Sequence, residues 1–115
     1  MSLSKVIIEK NQPKEGFIHL ILNKSLLGGN DALEFQNELT SILKDDNPSS
    51  IILDLSQVEK INSSGLGMLV AANSNVQKNK KLLILTSLPT KVRELVKMTH
   101  LDKVLKITEN LESAL

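Results

Sequence analysis

The stretch from Ser50 to Gln77 limits the possible folds more than any other part of the chain. It opens with Ile51-Ile52-Leu53, then Asp54-Leu55, an apolar run too short for a helix and rich in β-branched residues. Such a run reads as a strand buried on both faces, the kind found in parallel sheets. The stretch closes with Leu66, Leu69, Val70 and Val76, apolar residues at helical spacing. Between the two lie Asn62-Ser63-Ser64-Gly65, small residues suited to a tight turn that starts a helix. Asn62 or either serine can cap the exposed N–H groups there.

The flanking sequence extends the same alternation. Residues 3–10 and 16–22 are apolar runs separated by Asn11-Gln12-Pro13-Lys14-Glu15, which predicts a hairpin with a loop longer than two residues. Gly28-Gly29 breaks the chain. Asn30 or Asp31 then caps a helix whose apolar face is Ala32, Phe35, Leu39, Ile42 and Leu43, with Asp31 and Glu34 near its positive end. Asp45-Asp46-Asn47-Pro48 stops it. Leu82 to Leu85 is a further short strand. Pro89 suits the first turn of a helix, to which Val92, Leu95, Val96 and Met98 give a buried side. Val104 to Ile107 reads as a last strand and Asn110 to Leu115 as a terminal helix. The order predicts an α/β fold, one domain over residues 1–115: a mixed sheet built from an N-terminal hairpin and parallel βαβ units with crossover helices.

Composition removes several classes of function. The 115 residues contain two Phe and no Tyr or Trp, so the aromatic platforms of base-stacking nucleic-acid binders are missing. The net charge of +1 gives no basic footprint, although residues 1–60 sum to −3 (six basic, nine acidic) and residues 61–115 to +4 (eight basic, four acidic). Lys78, Lys80 and Lys81 read as a solvated connection between helix and strand. With no cysteine there is no disulfide, thiolate chemistry or Cys-ligated metal. No apolar stretch reaches membrane-spanning length and no signal-peptide h-region opens the chain, so a cytoplasmic location is expected. His19 and His100 are single histidines, far apart in sequence and without a second metal ligand nearby. No nucleophile elbow or P-loop supports an enzyme. Gly65 and Gly67 do not continue into a dinucleotide fingerprint, since Val70 stands where the third glycine belongs. They are expected instead to let a neighbouring backbone approach.

The segment DLSQVEKINSSGLGMLV resembles the signature of STAS domains in bacterial anti-sigma-factor antagonists. In that family a strand ends in Asp-Leu-Ser, and Asp-Ser-Ser/Thr-Gly-Leu-Gly opens a helix after a short turn. The likeness continues through LPTKVRELVKMTHLDKVLKI and ENLESAL, covering nearly the whole chain. One position departs from it: the family's usual aspartate before the first serine is Asn62, which keeps the hydrogen bonding and loses the charge.

The resemblance implies a phosphorylation site at Ser63 and a partner-binding surface around Asn62, Ser63, Ser64 and Gly65. It implies partner switching: the unmodified domain binds an anti-sigma factor that is also a serine kinase, and a metal-dependent serine phosphatase reverses the phosphorylation. No cofactor and no catalytic role are implied. A STAS module of another pathway, such as a stressosome or a lipid-transport accessory, is the alternative, and a small nucleotide-binding enzyme the more distant one. Met68 and Ala71 point away from the Leu66–Leu69–Val70 stripe and are expected on the contact surface. Asp54 is either a hydrogen-bonded loop anchor or part of the rim that meets the kinase. Ser64 reads as a residue of the first helical turn.

Overall fold

The computed structural model describes residues 6–115. A strand β1 (Ile7–Asn11) pairs antiparallel with β2 (Phe17–Leu22) across a five-residue connection, the hairpin expected from the polar linker. Residues 3–5 of that expected first strand lie outside the described residues. Then follow β3 (Ser25–Leu26), α1 (Asn30–Leu43), β4 (Ser50–Asp54), β5 (Lys60–Ile61), α2 (Ser63–Lys78), β6 (Leu82–Thr86), α3 (Thr90–Met98), a 3₁₀ turn (Leu101–Lys103), β7 (Lys106–Thr108) and α4 (Leu111–Ala114). The main sheet has the order β1-β2-β4-β6-β7, and every pair after the hairpin is parallel. This is the α/β architecture with a mixed sheet.

The apolar run at the centre explains why β4 lies in the middle of the sheet. All five of its residues are buried. Alternate residues of a strand face opposite sides. Ile51 and Leu53 join Leu20, Leu83 and Leu85 in the main core, together with Phe35 and Leu39 from α1, Leu69 and Val76 from α2, and Val92 and Val96 from α3. Ile52 and Ile84 face the other way, into a small cluster with Phe17, Leu111 and Ala114. Three helices therefore cover one face of the sheet, and the short α4 packs on the other.

Local details differ from the sequence reading for identifiable reasons. The N-cap of α1 is Gly29, not Asn30 or Asp31, and its φ of 71° with ψ of −142° is a conformation that side-chain-bearing residues avoid. Met98 is 76 % exposed. At about 100° per residue it falls well round the helix from the buried Val92–Val96 side of α3. The last strand starts at Lys106 rather than Val104, because the N–H groups of Val104 and Leu105 both turn back to the Leu101 carbonyl at the end of the 3₁₀ turn. Lys78 and Lys80 are exposed as expected, but Lys81 is not simply solvated. Its Nζ donates to the carbonyls of Leu43 and Asp45, satisfying acceptors at the C-terminal end of α1.

Candidate functional site

The site is the first turn of α2, and a second, smaller sheet holds it in place. β3 and β5 pair in parallel, Ser25 with Lys60 and Leu26 with Ile61. The N–H groups of Glu59 and Lys60 both donate to the Lys24 carbonyl, at 2.7 and 2.9 Å, and the Asn62 N–H reaches the Leu26 carbonyl at 3.4 Å. Sequence alone does not announce this two-residue ladder. Its strands are too short for alternation to show, and neither Ser25 nor Lys60 is a strand former by type.

Asn62 takes the cap. Its backbone is extended, its side-chain Oδ1 accepts from the Gly65 N–H at 2.9 Å, and its carbonyl accepts from the Leu66 N–H at 3.0 Å. Ser63 and Ser64 are the first two helical residues and both are exposed. Because Asn62 caps, the Ser63 hydroxyl has no part in starting the helix. No acidic residue stands in the first turn of α2, so its positive end is not neutralised from within.

The two glycines of the motif have different roles. A Cβ on Gly65 would lie 1.9 Å from the Leu26 carbonyl oxygen, so the close backbone approach expected there is present. A Cβ on Gly67 would meet nothing within 4 Å, so the same expectation fails for that residue. Gly65 is also buried under β3, which removes it from any contact surface. Across the turn, a Cβ on Gly28 would stand 2.7 Å from Ser64 Cβ, so the Gly28–Gly29 bend lies against the first turn of α2.

Met68 does not lie on the contact surface expected for it. It is 3 % exposed and belongs to the core. The buried side of α2 is wider than the Leu66–Leu69–Val70 stripe, because α1 packs along the flank: Gln36 Nε2 donates to the Met68 carbonyl at 3.4 Å, and Asn75 Nδ2 to Thr40 Oγ1 at 3.1 Å. Ala71 does lie on the exposed side, with Gly67 and Ser74, on the same helix face as the two serines.

Asp54 is an anchor and not a rim residue. It is 8 % exposed, accepting from the Ser56 N–H at 2.9 Å through one oxygen and pairing with His19 Nε2 at 2.8 Å through the other. Burial pushes its carboxyl upward, but hydrogen bonds from the side chain and backbone of Ser56, then the hydrogen bond and charge of His19, outweigh it and leave the pKa lowered. Sequence spacing alone does not reveal this partner of His19, since Asp54 is 35 residues away. The available signal was a lone polar residue within an otherwise apolar strand. In the parallel register His19 lies opposite Ile52, so Asp54 is the diagonal neighbour on the same face.

Beside the turn runs an open groove of about 720 Å³ lined by Leu27, Val58, Ile61, Val92, Leu95 and Met98 among others. Among the described residues no cluster of His, Asp or Glu could hold a metal ion, and no helix is long and apolar enough to cross a membrane.

Solved structures that share this architecture include the following three. The protein TM1081 of Thermotoga maritima, a candidate anti-sigma factor antagonist, is 26 % identical with a TM-score of 0.74, over 86 % of this chain and 84 % of that one. An anti-sigma factor antagonist from Mycobacterium paratuberculosis is 20 % identical with a TM-score of 0.73, over 92 % and 89 %. The Bacillus cell fate determinant SpoIIAA in its phosphorylated form is 12 % identical with a TM-score of 0.68, over 92 % and 95 %. The last two likenesses concern the fold alone. The STAS domain family model matches residues 12–114, from the β1–β2 loop to the end of α4, and the chain belongs to that family.

Proposed function

We propose that the chain is an anti-sigma-factor antagonist that works by partner switching, with Ser63 as the phosphorylated residue. Unmodified, it binds an anti-sigma factor that is also a serine kinase, which frees the sigma factor for transcription. Phosphorylation of Ser63 by that kinase ends the complex, and a metal-dependent serine phosphatase restores it. The chain is the substrate and switch in this scheme, not the catalyst, and it acts in the cytoplasm without a cofactor of its own.

The observation that carries this reading is the separation of roles at the turn: Asn62 caps the helix and leaves the exposed Ser63 hydroxyl to do something else. A phosphate there meets N–H groups at the positive end of α2, so the domain tolerates about two added negative charges without rearranging. A docked partner does not, because its surface fits a neutral hydroxyl. The exposed small residues Ser63, Ser64, Gly67 and Ala71 allow a partner backbone to come close. The neighbouring groove offers apolar surface at Leu27 and Met98, both exposed. The TM1081 likeness supports the antagonist role, and the phosphorylated state of the Bacillus protein supports a phosphoswitch on this fold.

The test is a pull-down from the source cell with unmodified protein, followed by intact mass of the retained and released pools after adding ATP. A retained pool at the unmodified mass and a released pool heavier by one phosphate on Ser63 are expected. Release without a mass change, or phosphate on another residue, sinks the reading.

A further inference from the structure

One buried carboxylate joins the main sheet to the segment that presents Ser63. Asp54 closes β4, with one oxygen on His19 Nε2 from β2 and the other on the Ser56 N–H, the first turn of the connection to β5. The two strands that meet there meet again further along. β2 continues through Asn23 and Lys24 into β3, and β4 continues through residues 55–59 into β5. The Lys24 carbonyl receives both Glu59 and Lys60, and Leu26 receives Asn62. The same two chain segments are thus clasped twice, at His19–Asp54 and at Lys24–Leu26 against Glu59–Asn62. Residues 55–58 are strung between the clasps, and Ser63 follows directly after the second.

We propose that His19, acting through Asp54, is a positioning residue for the Asn62–Ser64 turn. The imidazole sets the orientation of the carboxylate, and the carboxylate sets the Ser56 N–H, where the chain leaves the sheet. Both side chains are largely buried, at 8 % and 12 % exposure, so water does not replace either bond at little loss. Donation comes from Nε2, which carries its proton in the cationic ring and in one neutral tautomer, so the clasp survives loss of the charge. Without His19 the carboxylate keeps its bond from the Ser56 N–H but loses the second bond that fixes its orientation. Leu55 and Val58 stay anchored in the core, Leu55 also through its N–H on the Thr86 carbonyl, so the added motion is confined to Ser56 and the capped turn while the core does not loosen.

This inference rests on the reading of Ser63 as the recognised residue, but its test needs no partner. Backbone amide hydrogen exchange is measured on the isolated chain for wild type, His19→Ala, His19→Gln and a control, Leu105→Ala. The control lowers global stability from a buried site outside both clasps. With global stability matched by denaturant, His19→Ala is expected to exchange about tenfold faster at Ser56, Gly65 and Leu66, while Ile84 and Leu85 follow wild type. His19→Gln places an amide N–H near the Nε2 position and is expected to return exchange most of the way. Uniform acceleration like that of the control, no acceleration, or a Gln variant as fast as the Ala variant overturns the proposal. If His19→Ala does not fold, His19→Phe, which keeps a ring and loses the Nε2 donor, replaces it, and wild-type exchange at Ser56 and Leu66 in that variant is equally fatal. A failed partner assay leaves this result standing, and a failed exchange assay leaves the phosphoswitch standing.

Discussion

The carbonyl oxygen of Leu26 occupies the space into which any side chain on residue 65 would project, 1.9 Å from the ideal Cβ position. Gly65 is therefore fixed by a backbone neighbour from β3, not by the needs of its own helix. Ordinarily a glycine inside a helix is the weaker choice by about 0.5–1 kcal/mol relative to alanine. At this position the sign reverses. Gly65→Ala is expected to lower unfolding free energy by about 1–3 kcal/mol, since backbone must move to admit the methyl. Gly67, two residues on, has nothing within 4 Å of its Cβ position, and Gly67→Ala is expected to raise stability by about 0.5–1 kcal/mol. Urea denaturation of the two variants measures both signs.

Asn62 and Ser63 are expected to separate stability from binding. Asn62→Ala removes the bond to the Gly65 N–H and costs about 1 kcal/mol. Ser63→Ala removes no cap and leaves thermal stability within about 0.5 kcal/mol of wild type. In calorimetric titration against the kinase partner, Ser63→Ala binds as the unmodified protein does and stays bound in the presence of ATP. Ser63→Asp folds normally and binds more weakly, because the added charge is tolerated at the helix end but not across an interface. Equal affinity for Ser63→Ala and Ser63→Asp counts against the switch.

Met68 and Ala71 form a second contrast. A lysine at the buried Met68 places a charge among core residues, so Met68→Lys is expected to unfold the domain or destabilise it by several kcal/mol. Ala71→Lys lies on the exposed side of α2; it is expected to keep the circular dichroism spectrum and weaken partner binding. A folded Ala71→Lys variant that binds at full strength moves the interface off this helix face.

Asp54 gives a prediction in pH. Its pKa lies below the ordinary value of 3.8, so its ionised form is favoured by folding. The stabilisation is fully present above that value and is lost as pH falls through the folded-state pKa. The stability gap between wild type and Asp54→Asn is therefore expected to be constant from neutral pH down to the usual carboxylate range and to shrink below it. Denaturation midpoints taken across acidic pH test this. A gap that widens in acid contradicts the assigned hydrogen bonds.

The core elements were readable because their signals are local. The short apolar run Ile51-Ile52-Leu53 reads as a strand buried on both faces, and Phe35, Leu39 and Ile42 recur at helical spacing whatever surrounds them. What escaped depends on residues far apart. Met68 looked like surface because its own helix has a narrower stripe, and only the flank of α1 buries it. The Ser25–Leu26 and Lys60–Ile61 pair has too few residues to announce itself. His19 looked solitary because its partner lies on another strand. The position of Gly29 as a cap follows from a backbone angle that composition does not encode. For the candidate site, Asn62, Ser63, Ser64 and Ala71 are where the motif and helical spacing placed them. Gly65, Met68 and Asp54 are structural supports underneath.

The β3–β5 ladder also sets when this site comes into being. Its two strands lie more than thirty residues apart in the chain, so no fragment that ends before Lys60 can hold the turn. During synthesis the capped Ser63 exists only after β5 has been made and has returned to β3. A binding partner that recognises this turn therefore passes over any copy in which β3 and β5 are not yet paired.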